Sequence, residues 1–134
     1  MKQDKYTKKE IEVLDIQIVA TVLFIISLII SIILTYDEKL NLINGKGIFE
    51  SNQSQRISLY NRILVVILAL IFVYGNYVTE KIAEARHKQN VKSLKLQLFS
   101  GELSLISSLI VLYIVYKNQG NENFGVADTE NPTL

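Results

Sequence analysis

Three apolar runs, separated by charged and polar stretches, organise this chain: Ile16 to Tyr36, Ile63 to Val78 and Leu96 to Tyr116. A helix of about 20 residues rises roughly 30 Å, the hydrocarbon thickness of a bilayer. The pattern predicts an all-α integral membrane protein with three transmembrane helices, at 16–36, 57–79 and 96–116. Around them lie a tail (1–15), a loop (37–56), a connector (80–95) and a second tail (117–134). None of these is long enough for a soluble domain with its own core, so a single membrane domain is expected.

The polar stretches carry local signals of their own. Asn44-Gly45-Lys46-Gly47 reads as a turn inside the 37–56 loop, flanked by Leu40, Leu42, Ile43, Ile48 and Phe49, which could dip into the headgroup region. The connector is rich in helix formers and pairs Glu84 with Lys88 at i,i+4. The second helix is therefore expected to run beyond the membrane before turning near Gln89-Asn90. The segment after Lys117, with Gly120, Asn121, Asn123, Gly125 and Pro132, is expected to be disordered. The first run follows Lys2, Lys5, Lys8 and Lys9, as the core of a signal peptide does, but it is too long for one and ends without a small-x-small cleavage site. It is read as a retained span.

Basic residues orient the spans. The first tail and the connector share a face and carry Lys2, Lys5, Lys8, Lys9, Lys81, Arg86, Lys88, Lys92 and Lys95, against Lys39, Lys46, Arg56, Arg62 and Lys117 on the other. The excess predicts a cytoplasmic N-terminus and an outside C-terminus. Arg62 is expected to meet phosphates or the adjacent Asp37 and Glu38, themselves read as a solvated helix end.

A shift of 80 residues aligns Gln17, Ser27 and Tyr36 with Gln97, Ser107 and Tyr116. The first and third helices are therefore read as a parallel pseudo-repeat. Small and polar residues also fall in helical stripes. Ser27 and Ser31 on the first helix, with Gly101, Ser104 and Ser108 on the third, are candidate helix-packing positions. In lipid, association rests on close backbone approach and interhelical hydrogen bonds. Glu102 lies about seven residues into the third span, where a charge costs up to about 3 kcal/mol if unpaired. It is expected to be protonated or to face inward, into a polar cluster with Gln17, Thr21, Asn76 and Gln97, unless it reaches headgroups or Lys95.

Charge and chemistry narrow the functional classes. A net charge of +1 leaves no strongly basic surface, so nucleic acid is not an expected partner. The chain has no cysteine and one histidine, His87, so no metal or cofactor site is expected. No HExxH, GxSxG, P-loop or GxGxxG pattern occurs, and no catalytic residue is assigned. The expected partners are the bilayer and either another copy or a larger membrane protein. The leading reading is a structural or accessory membrane component acting through helix association. The alternative is a homo-oligomeric pore or an ion or proton transport subunit with Glu102 in its polar path. In size and span number the chain resembles three-span holins, but it carries no holin motif, and its orientation and acidic tail depart from that pattern.

Overall fold

Asp4 opens the first helix by accepting the Thr7 backbone N–H at 2.7 Å, an N-cap that satisfies one of the otherwise orphaned first-turn donors. In this computed structural model, which describes residues 4–130, the chain then stays helical over Lys5–Asn44 (α1, 40 residues). Gly45 ends α1 in the left-handed region at φ 73°, and its N–H returns to the Asn41 carbonyl at 2.8 Å, the C-cap that glycine tolerates best. Two further helices follow, α2 (Ser51–Ala85) and α3 (Val91–Lys117), and then a 3-10 turn, Val126–Thr129. No strand occurs among the described residues.

All three helices are long and apolar enough to cross a membrane. They also outrun the expected spans. The 37–56 loop shrinks to the six residues between Asn44 and Ser51, because Leu40, Leu42 and Ile43 continue helical and the chain turns only at Gly45. The 80–95 connector shrinks to the five residues between Ala85 and Val91. There the Lys88 N–H reaches the Ala83 carbonyl and the His87 N–H reaches that of Glu84. His87 itself sits at φ 54°. This is a Schellman stop with histidine where glycine is usual. Lys2 and Pro132 lie outside the described residues.

The helices run antiparallel in sequence, with α2 packed against both others and no backbone approach between α1 and α3. Burial is inverted relative to a water-soluble protein: nine apolar and eleven polar or charged described residues are buried. Ile18, Val19, Ile32, Leu96 and Ile106 are each more than half exposed. Surfaces this apolar are stable in contact with lipid or another protein, not with water.

Candidate functional site

Because α1 and α3 meet α2 but not each other, a groove of about 590 Å³ remains between them. Its walls are Gln17, Thr21 and Phe24 of α1 and Gln97, Ser100, Gly101, Ser104 and Ser108 of α3; Val65, Ala69, Phe72 and Asn76 of α2 form the floor. The Thr21 hydroxyl donates to the Gln17 carbonyl at 2.7 Å, and that of Ser108 to the Leu105 carbonyl at 2.8 Å, both within one helix. These two hydroxyls are satisfied locally. The carboxamides of Gln17, Asn76 and Gln97 make no hydrogen bond with any described residue. The groove is therefore open and mainly apolar, with three carboxamides set into it. The three α1 wall residues are also those that the 80-residue shift aligns with Gln97, Gly101 and Ser104 on the facing wall.

Glu102 does not join this group. It follows Gly101 by one residue, about 100° around the helix, and is exposed on a face shared with Phe99 and Ile106. The inward placement expected from insertion cost is corrected accordingly. Lys95, the alternative partner, instead lies 3.4 Å from Glu84. Gly101 meets α2 within the same chain, since a Cβ there would come to 3.1 Å from the Asn76 amide nitrogen. Ser104 and Ser108 line the groove, whereas Ser27 and Ser31 are buried in the α1–α2 seam.

A second polar site lies in that seam, several turns in from the point where α1 ends and α2 begins. Ser54, Ser58, Asn61 and Arg62 fall at three- and four-residue steps on α2, and all are buried. The Ser27 hydroxyl donates to Asn61 Oδ1 at 2.7 Å, while Asn61 Nδ2 and Arg62 NH2 reach Ser31 Oγ at 3.1 and 3.2 Å. Onto this lattice the C-terminal segment delivers Glu130. Its carboxylate accepts from Ser58 Oγ at 2.6 Å, Ser31 Oγ at 2.8 Å, Asn61 Nδ2 at 3.3 Å and Arg62 NH2 at 3.1 Å. The Glu130 side chain is fully buried and that of Arg62 is 8% exposed. A charge pair survives such burial only when its remaining lone pairs and protons are met.

Two expectations are overturned here. Arg62 pairs with Glu130 and not with Asp37 or Glu38, and the segment after Lys117 folds back over the helix ends instead of staying disordered up to residue 130. Its docking explains why: Gln55 binds the Asn121 carbonyl and the Gly120 N–H, each at 2.8 Å, Glu38 accepts the Ala127 N–H, and Val126 is buried. Asp37 is not solvated either. It is 2% exposed and accepts the Ile48 and Phe49 N–H groups at 2.6 and 2.9 Å, closing the Gly45–Gly47 turn.

At the opposite end the basic residues are partly neutralised. Arg86 reaches Asp4 at 2.9 Å and Glu10 at 3.6 Å, Lys88 reaches Glu10 at 3.4 Å, and Arg86 lies over the Tyr6 ring. The Thr7 backbone N–H, its hydroxyl and then Arg86 hold the Asp4 carboxyl below the usual aspartate range. Exposed pairs of this kind tie α1 to α2 weakly. No group of histidine, cysteine, aspartate or glutamate among the described residues is arranged to hold a metal.

Neither a model of a known protein family, nor a curated protein, nor a solved structure matches this chain.

Proposed function

We propose that this chain is a multi-pass integral membrane protein, N-terminus cytoplasmic and C-terminus outside, that acts as an accessory component by seating a polar transmembrane helix between α1 and α3. One observation carries the reading: the groove presents three hydrogen-bonding carboxamides without partners along helices otherwise suited to lipid. Gln17 and Gln97 are each the second residue of their spans and Asn76 lies three residues before the end of its own, so headgroups reach them in part, and a partner helix offers each a contact worth roughly 0.6–2 kcal/mol. A helix carrying serine, threonine, asparagine or glutamine offers the missing groups. Ser100, Ser104 and Ser108, each four residues apart, leave the wall low enough for a neighbouring backbone to approach. Gln17 and Gln97, the one like pair that the 80-residue shift matches on the two walls, support a pseudo-repeat whose halves face each other across this groove.

Glu102 favours a second reading, the homo-oligomeric pore, because an exposed carboxyl on an apolar helix face calls for cover by a neighbouring copy or by water. The two readings differ in the face used. Association measured by energy transfer in vesicles should fall severalfold for Ser104→Leu, which fills the groove, and persist in Glu102→Leu. The reverse pattern, with ion conductance lost in Glu102→Gln, would replace the accessory reading with the pore.

A further inference from the structure

Most of the Arg62 site is held together without the segment that fills it. Ser27, Ser31, Asn61 and Arg62 bind one another across the α1–α2 seam, so three of the four donors to Glu130, those of Ser31, Asn61 and Arg62, are tied in place by contacts other than Glu130. Ser58 alone depends on Glu130. The chain that brings Glu130 is anchored by a few contacts, through Gln55, Glu38 and Val126, over the 13 residues that follow Lys117. Glu130 also fits imperfectly. It takes only NH2 of the guanidinium, and Arg62 Nε is buried without a hydrogen-bond partner among the described residues. A carboxylate not constrained by a tether could accept from Nε and NH2 together, the bidentate geometry that guanidinium favours.

We propose that the α1–α2 seam around Arg62 forms a binding site for a small aliphatic carboxylate, with Glu130 acting as a tethered ligand that such a carboxylate displaces. Ser58 and Ser31 supply the neutral donors, Arg62 the charge, and Asn61 fixes both helices around them. A tether raises the effective concentration of Glu130 to the millimolar range, so a free carboxylate competes poorly while the segment is docked and binds well once Glu130 is removed. Displacement also releases the segment from Glu38 and Gln55. The site is thus coupled to whether this end of the bundle is covered.

The test uses the full chain in nanodiscs, with propionate, inorganic phosphate and chloride at matched ionic strength as probes. Propionate should raise the unfolding temperature of Glu130→Ala saturably, with an apparent affinity at least about tenfold tighter than for wild type, as removal of a tethered competitor requires. The Arg62 Nε–H resonance should shift in parallel, and Arg62→Gln in the same background should abolish both effects. If Glu130→Ala does not fold, Glu130→Gln keeps the shape of the segment while weakening its hold, and the same tightening should appear there. Propionate acting no better than chloride on a folded variant would overturn the proposal. So would stabilisation that survives loss of Arg62, or phosphate outperforming propionate.

Discussion

Glu130→Ala removes the carboxylate on which four buried donors converge and leaves the Arg62 guanidinium, 8% exposed, without its counter-charge. Breaking a buried pair from one side costs about 3–5 kcal/mol, because the survivor keeps its desolvation penalty and loses its attraction. Arg62→Leu should cost less. The orphaned carboxylate keeps Ser31, Ser58 and Asn61 as donors, and its segment can lift off the helix ends. The loss is then bounded by the docking of that segment, whose largest apolar contribution is the buried Val126, about 1–3 kcal/mol. With both residues replaced no charge is stranded, so the double variant should resemble Arg62→Leu, which implies a coupling as large as the Glu130→Ala loss itself, about 3–5 kcal/mol. Reversible unfolding in mixed micelles, with all four proteins measured together, gives the cycle directly. Additive losses, or two single variants within about 0.5 kcal/mol of wild type, would refute the claim that this pair holds the segment down.

Acid should loosen the first turn of α1. Because the Asp4 carboxyl is held below its usual range by Thr7 and Arg86, its stabilisation is complete above the ordinary aspartate value and is lost as pH falls through the lowered one. The protection factor of the Thr7 amide, its exchange rate corrected for the intrinsic pH dependence, should therefore fall on acidification in wild type and show no such response in Asp4→Asn. Orientation is checked separately: cysteines at Lys5 and Gln89 should react with an impermeant reagent only from the cytoplasmic side, and one at Asn52 only from outside. Labelling of positions 5 and 89 from opposite sides would remove one crossing.

How far the residues foretell the structure depends on the range of the interactions involved. Periodicity and hydropathy are local, and they make the three helices legible, as does the Gly45–Gly47 turn. Helix ends are less legible, since Leu40 to Ile43 satisfy a helix as readily as an interfacial loop. The groove is partly legible because Gln17, Thr21, Asn76 and Gln97 stand out as polar positions in apolar runs, and antiparallel packing on α2 gathers them. Glu102 misleads because insertion cost says that a carboxyl needs a partner but not which way its helix is rotated. The Arg62 site is the part least legible. Ser54, Ser58 and Asn61 form a stripe with Arg62 that sequence spacing could have revealed, but Glu130 lies 68 residues from Arg62 in a polar segment with no periodicity. Nothing local marks that segment as a ligand.

The account rests most heavily on the groove being filled by a helix and not by lipid. A photoreactive diazirine amino acid placed at Gln97, on the groove wall, and at Ile110, which is 55% exposed outside it, reads the neighbour of each position in native membranes. Adducts with a transmembrane peptide are expected from position 97 and with lipid from position 110. Lipid adducts alone from both positions would contradict it.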